Sequence, residues 1–480
     1  MTLSQASTLP SGCLVNRSAP LTFTYEERTV PAFEGQSIAA ALYAARVRIF
    51  TRSFKYHRPR GLFCVSGDCP NCLMNVDGRP NVRTCTEPVR DGQVVLHQNA
   101  WPSLDWDVLN IFDKLHRFLA VGFYYKRFHK PRWLWPLFEH VVRHVAGLGK
   151  VDAQHVPEMD AGIEHLYADV CVIGGGRAGI QAADEASRSG ARVVLLERMP
   201  RLGGRLLVQD AQLASGKASK VLSEPRVTVH CNTTAFGLYE GNLIGAASDN
   251  CFFKIRAKQI VVCTGSRQQP LLFDNNDLPG IFLGDGVLRL ASLYGVIAGR
   301  RAVVLTDQDE GHALARRLSG LGVEVAALVD QRAAAFDLPG GLSFPQFSSS
   351  TVLRAQGRKH LRGVSIARWD AKTGIDKSSQ HHVPCDLLCI VSARQPANEL
   401  LLQAGMRFRH AGGRWAAQQQ FEHLRAMGSV AGIEQNDGGA KTIPPAAASG
   451  KRFVCLCEDV TDKDIQQALA EGFDHIETLK

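Results

Sequence analysis

The sequence predicts a mixed α/β chain in which a small β-rich N-terminal domain precedes a larger domain of alternating strands and helices. Three observations predict this fold class. Four cysteines are grouped within residues 64–85, a glycine-rich turn separates a strand from a helix at residues 174–179, and strand–helix alternation continues beyond that turn. Since 480 residues are long for one core, we expect about three domains.

The composition indicates a globular protein, with 45% hydrophobic and 21% charged residues. Met1–Pro20 lacks the charged-then-apolar pattern of a signal peptide, and no run of about 18 apolar residues predicts a membrane span. The 13 cysteines are odd in number and spread along the chain, unlike those of short scaffolds held by disulfides. We therefore expect a cytoplasmic location.

Residues 15–100 are predicted to form a β-grasp domain. Leu21–Val30 mixes β-branched and aromatic residues around a polar centre, which predicts a hairpin. The Ala-rich stretch Gly35–Arg46 predicts a helix, and Leu73–Val76 and Val94–His97 predict further strands.

Four cysteines of this domain, Cys64, Cys69, Cys72 and Cys85, have the spacing C-x4-C-x2-C-x12-C. This is the plant-type ferredoxin pattern, in which four thiolates hold a [2Fe–2S] cluster. We therefore predict a ferredoxin-like domain with these four ligands. A zinc site, which usually has two C-x2-C pairs, a redox dithiol at Cys69 and Cys72, and unliganded core cysteines remain alternatives.

The stretch Arg52–Gly61 precedes these cysteines and is strongly basic. Its charges are predicted either to bind a phosphate or to be solvated, and His57 is expected to be structural or to face a phosphate. The charged residues are Arg52, Lys55, Arg58 and Arg60.

A connector with helical stretches and several prolines is predicted for residues 101–165. Within it, residues 111–150 hold eight Lys and Arg against two acidic residues, a net charge of +6, with aromatic side chains interleaved. Basic and aromatic residues together can indicate nucleic acid binding, but no nucleic-acid fold signature accompanies them. We expect no nucleic acid partner, but an interface with another subunit or with an anionic cofactor.

A dinucleotide-binding domain is predicted for residues 166–450. The motif G-x-G-x-x-G follows a buried strand, Asp169–Ile173, and opens a helix, Ile180–Ser189. A second strand, Arg192–Glu197, ends on an acid. In this context the glycines let backbone approach a pyrophosphate at the helix N-terminus, and the acid accepts from ribose hydroxyls. The predicted binding residues are Gly174, Gly176, Gly179 and Glu197.

Two further stretches are predicted to border the cofactor. Leu202–Arg205 is a second glycine turn of the kind that borders the flavin phosphates in proteins with two dinucleotide domains. Lys258–Gly265 predicts a strand ending in small residues, for which an ordinary turn is the alternative. The candidate residues are Arg198, Gly203, Gly204, Arg205, Thr264 and Gly265.

A second strand–helix–strand unit is predicted at residues 301–330, within an inserted subdomain of about 281–380. Its turn, Thr306–Gly311, is acidic and lacks the glycine motif, so it would repel a pyrophosphate. We then expect a return to the first nucleotide domain through strands at Cys385–Val391 and Gly428–Gly432. Ile433 follows, where flavoproteins of this type usually have an aspartate.

Residues 451–480 carry Cys455 and Cys457 ahead of a predicted helix, Thr461–Glu471, with a threonine N-cap. Two thiolates are half of a second iron–sulfur cluster site and cannot complete it. We expect a truncated chain, a vestigial site, or a site that a partner completes.

Several motifs together resemble a known family. On them the chain is similar to the α subunit of heterotetrameric sarcosine oxidase and its relatives, the opine, proline and hydroxyproline dehydrogenases and hydrogen cyanide synthase. The motifs are Arg52–Gly61, Cys69–Asp77, Asn99–Ser103, Gly122–Lys126, the glycine turn at 174–179 and Asn276–Gly280.

The resemblance implies a subunit of a heteromeric flavoenzyme that oxidises the C–N bond of a secondary amine or amino acid. In this family the partner subunit's flavin oxidises the amine, an FMN lies at the interface with that partner, and the α-like subunit binds a dinucleotide. The resemblance therefore implies FAD or NAD(P) at the 174–179 turn, an FAD-binding β-like partner, and small γ- and δ-like subunits.

Two departures from the family refine this expectation. Sarcosine oxidase α subunits continue into a folate-binding domain that this sequence does not reach, and they typically lack the ferredoxin cysteines that the opine and cyanide-synthase relatives carry. We therefore predict an electron-transfer subunit of an amine dehydrogenase, with no catalytic acid or base of its own. The alternatives are an NAD(P)H-dependent disulfide reductase and a scaffold that binds nucleotide and zinc.

Overall fold

The computed structural model describes residues 12–115, 130–147, 149, 162–332, 344–370, 373–411, 414–419, 421–434 and 450–475. The chain divides into two compact units. The first comprises 1–155, 270–392 and 441–480, and the second comprises 156–269 and 393–440. The Gly122–Lys126 motif lies outside the described residues, as does much of the basic and aromatic stretch around it.

The first unit begins with a β-grasp sheet. Its elements are β1 (Asn16–Tyr25), β2 (Arg28–Glu34), α1 (Ile38–Ala44), β3 (Thr51–Arg52), β4 (Pro59–Arg60), β5 (Leu73–Val76), β6 (Arg79–Arg83) and β7 (Val94–Leu96). The strand order is β2-β1-β7-β5-β6, with β1 parallel to β7. Every residue of the Ala-rich α1 is buried, and the helix begins at Ser37, whose Oγ accepts from the Ala40 amide at 3.2 Å.

The connector contains two helices among its described residues, α2 (Ile111–Lys114) and α3 (Trp135–Ala146). Single 3₁₀ turns precede them at Val108–Asn110 and Arg132–Leu134. No residue of α2 or of the two turns is buried. This part of the chain therefore lies on the surface of its unit.

The second unit is built on a largely parallel sheet. Its first elements are β8 (Gly162–Ile173), α4 (Arg177–Arg188), β9 (Val193–Leu196), α5 (Leu206–Gln209), α6 (Ala211–Leu222), β10 (Val227–His230), β11 (Thr234–Tyr239), β12 (Leu243–Ala247), β13 (Cys251–Val262) and β14 (Ser266–Gln268). The strand order is β10-β9-β8-β13-β12-β11. Strand β9 is buried throughout, because helices cover both faces of a parallel sheet.

The chain then returns to the first unit, where it forms a second parallel sheet and a separate three-stranded antiparallel sheet. The elements are β15 (Ile281–Leu283), α7 (Gly284–Tyr294), β16 (Arg301–Thr306), α8 (Asp309–Gly320), β17 (Glu324–Asp330), β18 (Gln346–Phe347), β19 (Ser350–Gly357), β20 (Leu361–Asp370), β21 (Gly374–Pro384) and β22 (Leu387–Val391). The parallel order is β15-β22-β16-β17-β18. The predicted strand–helix–strand unit is present as β16-α8-β17.

Strand β22 corrects one sequence expectation. The stretch Cys385–Val391 was predicted to belong to the first nucleotide domain, but β22 pairs with β15 and β16 in the second sheet. The inserted segment accordingly runs over 270–392 rather than about 281–380. An apolar run identifies a buried strand but carries no information about which sheet it joins.

The last part of the second unit corrects a second sequence expectation, the position of the closing strand. Its elements are β23 (Arg394–Pro396), α9 (Glu399–Gln403), β24 (Phe408–Ala411), β25 (Arg414–Ala417), β26 (Leu424–Ala426) and β27 (Gly432–Glu434). The strand that pairs with β13 is β26, whereas the predicted strand Gly428–Gly432 begins as a 3₁₀ turn. The residue after the strand-end glycine is therefore Ser429, and not Ile433.

The C-terminal segment forms a hairpin and a helix, β28 (Phe453–Cys455), β29 (Val460–Thr461) and α10 (Asp462–Ala470). Thr461 caps the helix, and its side chain and that of Asp464 bind each other's backbone amides in a capping box. The helix lies where the sequence predicts it. Among the described residues of the whole chain, no helix is long and apolar enough to span a membrane.

The basic stretch Arg52–Gly61 is buried in ion pairs. Arg58 Nε donates to Asp277 Oδ2 at 2.7 Å, and Arg60, which is 1% exposed, pairs with Asp277 and Asp459. These contacts join the β-grasp domain to the inserted segment and to the C-terminal hairpin within the first unit. Arg58 and Arg60 are thus paired with carboxylates in the interior of the unit, which corrects the alternative that their charges are solvated.

Replacing Asp277 with Asn is expected to lower the free energy of unfolding by up to about 3–5 kcal/mol. The substitution removes the carboxylate that two buried guanidinium groups share and leaves Arg58 with Asp113 and Arg60 with Asp459. Asp184→Asn, which breaks surface pairs with Arg188 and Lys220, is the control and should cost less than about 1 kcal/mol. Chemical denaturation of both variants measures the difference. Equal losses would contradict a structural role for the buried network.

The contribution of Asp277 should also depend on pH. Burial by itself would raise the pKa of Asp277, but Arg58 and Arg60 outweigh it and lower the pKa below the ordinary 3.8. A lowered carboxyl pKa stabilises the fold at pH values above the unfolded-state pKa, and this stabilisation is lost as pH falls through the folded-state pKa. The gap between wild type and Asp277→Asn should therefore be constant near neutral pH and narrow below about pH 4.

Candidate cluster and dinucleotide sites

The four predicted cluster ligands converge in the first unit. Cys64, Cys72 and Cys85 are buried and Cys69 is partly buried. The Cys64 thiol contacts those of Cys69 and Cys85, and Cys85 also contacts Cys72. The amide of Gly67 donates to Cys85 Sγ at 3.3 Å. The quartet therefore fits a cluster that takes three thiolates from one loop and the fourth from a distant segment.

The thiols of the quartet shift one another's pKa values. Hydrogen bonds from Cys69 and Cys85 lower the pKa of Cys64 well below its ordinary value, while contact with Cys64 raises the pKa values of Cys69 and Cys85. Four buried thiolates repel one another unless a positive centre neutralises them. Among the described residues, no group of three or more His, Cys, Asp and Glu side chains has an arrangement that could hold a metal ion.

Neighbouring elements hold the cysteine loop in place. Thr84 Oγ1 donates to the Cys72 carbonyl at 2.7 Å, which ties the loop to the segment that carries Cys85. The Leu283 amide donates to the Phe63 carbonyl at 3.0 Å. A Cβ on Gly286, in the first turn of α7, would lie 2.5 Å from the same carbonyl oxygen, so only glycine lets the helix approach the loop this closely.

The predicted dinucleotide turn has the required geometry in the second unit. Gly174 follows β8 with φ +105°, and a Cβ there would collide with the Cys263 carbonyl. A Cβ on Gly179 would collide with the carbonyl oxygen of Gly174. Glycine at both positions lets α4 approach β8. The N-terminus of a helix is a favourable place for a phosphate.

Glu197 lies directly after β9 and is 6% exposed. Its Oε2 accepts from the Gly175 amide at 2.7 Å, and its Oε1 accepts from the Met199 amide at 2.8 Å. The carboxylate thus shapes the glycine turn from within. The role of Glu197 as an acceptor for a ribose hydroxyl stays a prediction.

The second predicted glycine turn lies against the first. The Gly203 amide donates to the Gly175 carbonyl at 2.8 Å, and a Cβ on Gly204 would lie 3.0 Å from Gly176 Cα. Arg205 is partly buried beside it, whereas Arg198 is exposed.

At the end of β13, Thr264 Oγ1 donates to the Ala397 carbonyl at 2.6 Å, and Gly265 has φ +82°. The structure thus brings the glycines of both turns, Glu197 and Thr264 together near the start of α4, within one unit, whereas Arg198 is exposed.

Sequence reasoning missed Gly428 and Ser429 as members of this site. A Cβ on Gly428 would lie 2.7 Å from Ala178 Cβ at the start of α4, and Ser429 Oγ lies 4.0 Å from the position of a Cβ on Gly265. The strand register reveals their position. The Met427 amide donates to the Val262 carbonyl at 3.0 Å, so the next residues lie beside the end of β13. Ser429 therefore directly follows the glycine that the strand register places beside α4.

The acidic turn of the second strand–helix–strand unit is occupied by its own side chains. Thr306 Oγ1 donates to the Gln308 carbonyl at 2.8 Å. Asp330, at the end of β17, accepts from Arg332 and His312, and these hydrogen bonds outweigh burial and lower its pKa. Asp330, the acid that would accept from a ribose hydroxyl, thus already accepts hydrogen bonds from two side chains.

Cys455 and Cys457 form a surface pair on the C-terminal hairpin. Their Sγ atoms are 2.8 Å apart, and Cys457 is exposed. The hydrogen bond from Cys457 lowers the pKa of Cys455 to about 6 and raises that of Cys457. Two adjacent thiols, one readily ionised, can ligate a soft metal centre, and two further ligands would be required for a [2Fe–2S] cluster.

Three protein-family models match segments of the chain. They describe a 2Fe-2S iron-sulfur cluster binding domain at residues 18–100, a pyridine nucleotide-disulphide oxidoreductase at 168–303 and a sarcosine oxidase A3 domain at 449–480. The first two confirm the predicted fold class, a ferredoxin-like domain followed by a dinucleotide-binding flavoprotein fold.

Curated relatives confirm the predicted resemblance. The sarcosine oxidase subunit alpha of Rhizobium meliloti is 32% identical over 98% of this chain and 53% of its own length. That of Corynebacterium sp. (strain U-96) is 29% identical over 83% of this chain and 40% of its own length. The chain thus spans about half the length of the curated relatives it matches.

A solved structure supports the same fold. The crystal structure of L-proline dehydrogenase from P. horikoshii aligns with a TM-score of 0.61 and 20% identity, over 89% of this chain and 71% of that one. The shared architecture extends over most of the chain.

Gly179→Ala is expected to displace the dinucleotide turn, because its methyl group would meet the Gly174 carbonyl. Nucleotide affinity should fall about tenfold or more, which corresponds to 1.4 kcal/mol. The measurement is the amount of nucleotide released by denaturing the purified protein. Gly216→Ala on α6, where a Cβ meets open space, is the control and should retain its nucleotide. Full retention by Gly179→Ala would rule out this turn as the binding site.

Proposed function

Because the chain is a homologue of sarcosine oxidase α subunits over nearly its whole length, we propose that it is the electron-transfer subunit of a heteromeric oxidoreductase acting on the CH–NH group of an amine or amino acid. The observation that carries the proposal is the convergence of Cys64, Cys69, Cys72 and Cys85 in a chain that also holds an open dinucleotide turn. A relay subunit requires these two features together.

The four thiols are proposed to ligate a [2Fe–2S] cluster. When bound there, a cluster of the plant type transfers one electron at a time at a potential near roughly −400 mV, which burial and hydrogen bonds to sulfur tune. In this chain the Gly67 amide supplies one such hydrogen bond to Cys85, and the buried position of three of the four thiols limits access of water. The protein residues thus hold the site and shield it.

The glycine turn of the second unit is proposed to bind FAD or NAD(P). The backbone amides at the start of α4 receive the pyrophosphate, and Glu197 and the Gly203–Arg205 turn line the path. Ser429 offers a hydroxyl instead of the carboxylate usual at this place in flavoproteins, so a flavin here would lose one anionic contact to its ribityl chain. The second strand–helix–strand unit is proposed to be structural, because its own side chains fill its turn.

Amine oxidation is proposed to occur in a partner. The similar proteins are named as subunits, and the assembly proposed here contains an FAD-binding β-like subunit, small γ- and δ-like subunits, and an FMN at a subunit interface. Cys455 and Cys457 are proposed as half of a second cluster site, with the remaining ligands supplied outside the described residues.

Cys72→Ser and Cys85→Ser are expected to abolish the visible absorption and the reduced-state electron paramagnetic resonance signal of a [2Fe–2S] centre, because each removes a ligand. Cys251→Ser, a partly buried cysteine on β13, is the control and should keep both signals. Metal and sulfide analysis discriminates the alternatives. Zinc without sulfide indicates a scaffold, and two titratable thiols without iron indicate a disulfide reductase; either result would contradict the proposal.

The isolated chain should not oxidise amines, whereas the chain combined with its FAD-binding partner should reduce an artificial one-electron acceptor when amine is added. Cys72→Ser in that complex should still permit flavin reduction by amine but slow acceptor reduction, since the relay is broken after the chemical step. Rapid amine turnover by the chain alone would refute the relay assignment.

A further inference from the structure

Ser66 is the hydroxyl-bearing residue of the cysteine loop and follows Cys64 by two positions. It is buried, with 9% of its surface exposed. The backbone is left-handed on both sides of it, with φ +50° at Val65 and φ +75° at Gly67. A β-branched residue such as valine rarely adopts this conformation. The surrounding structure, and not local preference, therefore fixes the turn that carries Ser66.

Two acceptors are within reach of the Ser66 hydroxyl. Its Oγ donates to Asp68 Oδ2 at 2.6 Å, and the hydroxyl and the amide of Ser66 both hydrogen-bond to the Cys64 sulfur. A serine hydroxyl carries a single proton. The carboxylate and the sulfur therefore compete for that proton, and an acceptor with more negative charge holds it more strongly.

The shape of the cysteine loop does not depend on this hydroxyl. Thr84 and Leu283 hold the two ends of the loop by donating to its backbone carbonyls, and the Gly67 amide donates to a thiol of the quartet. Asp68 is exposed, so water can replace the hydroxyl as its partner. All of these contacts remain when the Ser66 hydroxyl is removed.

Reduction of a bound cluster would change the balance between the two acceptors. An electron added to a [2Fe–2S] centre places more negative charge on its ligand sulfurs, and hydrogen bonds to these sulfurs raise the reduction potential. The carboxylate of Asp68 carries the same charge in both states. Donation to the Cys64 sulfur therefore gains strength on reduction, whereas donation to Asp68 does not.

We propose that Ser66 sets the reduction potential of the [2Fe–2S] cluster through Cys64. Its hydroxyl donates to Asp68 while the cluster is oxidised and turns to the Cys64 sulfur when one electron arrives. No covalent bond forms or breaks and no proton is taken up, because the O–H group only rotates. Ser66 thus raises the potential, and Asp68 lowers it by drawing the hydroxyl away. The inference rests on the proposed function, which supplies the cluster and the electron.

The test is a redox titration of the purified chain, followed by the electron paramagnetic resonance signal of the reduced cluster. In Ser66→Ala the ratio of reduced to oxidised cluster at a given potential should fall about tenfold, which is a shift of about −59 mV for one electron. Ser66→Thr, which keeps a hydroxyl, should titrate like wild type. Ser18→Ala makes the same change at an exposed position of β1 and is the control.

Two results of this titration would overturn the proposal. The first is an equal midpoint potential for wild type and Ser66→Ala. The second is loss of the cluster in Ser66→Ala, because the hydroxyl would then be needed for cluster assembly and not for the potential.

A double-mutant cycle separates the hydroxyl from the charge of Asp68. Asp68→Asn should raise the midpoint potential of the wild-type chain, because it removes a negative charge and also releases the hydroxyl. In the Ser66→Ala background only the effect of the charge remains, so the same substitution should raise the midpoint by less. Equal shifts in the two backgrounds would contradict the competition for the proton.

Pulsed electron paramagnetic resonance in D₂O detects the hydroxyl directly. The reduced wild-type cluster should show a hyperfine coupling to an exchangeable deuteron that is missing from Ser66→Ala and present in Ser66→Thr. The amide deuterons of the loop are common to all three proteins and serve as the internal reference. Identical sets of couplings in the three proteins would rule out a hydrogen bond from the hydroxyl to Cys64.

These outcomes are separable from the fate of the proposed function. A wild-type chain without a [2Fe–2S] signal would refute the proposed function itself. A chain that shows the signal, with the same midpoint potential whether or not Ser66 carries its hydroxyl, would retain the proposed function and refute the role of Ser66.

Discussion

The buried ion pairs of Arg58 and Arg60 are the constraint on which the first unit depends. An unpaired guanidinium in the interior costs several kcal/mol, and the carboxylates that prevent this cost, Asp277 and Asp459, lie 219 and 399 residues away along the chain. The pairing can be satisfied only when the β-grasp domain, the inserted segment and the C-terminal hairpin come together. The network therefore selects one assembly of three distant segments.

The cysteine loop begins four residues after Arg60, so the ion pairs of Arg60 also fix the start of this loop. A Cβ on Gly61 would lie 2.9 Å from Pro279 Cα, and α7 approaches the loop closely at Gly286. Buried ion pairs hold the start of the loop, and Thr84 holds its end. These contacts keep the four thiols close together, although thiolates repel one another. The same basic stretch also anchors the loop of residues 101–108 through Arg52 and His57.

The two strand–helix–strand units show how one architecture can be open or closed to a nucleotide. Both keep a glycine where the helix meets the strand, Gly179 in one and Gly311 in the other, because a Cβ would collide there in each. They differ in the turn. In the first, Glu197 accepts from the Gly175 amide of the glycine turn. In the second, Thr306 donates to the Gln308 carbonyl of its own turn, and Asp330 pairs with His312.

The sequence by itself determined the local features of this protein. Spacing identified the cysteine quartet, the glycine turn and the capped C-terminal helix, because each depends on residues close together along the chain. Tertiary structure decided the rest. Only sheet pairing assigned β22 to the second sheet and placed Ser429 beside the glycine turn, and only burial turned Arg58 and Arg60 from surface charges into a structural network. Long-range partners such as Asp277 and Asp459 leave no periodic or spacing signal, since their role arises from where the folded chain places them.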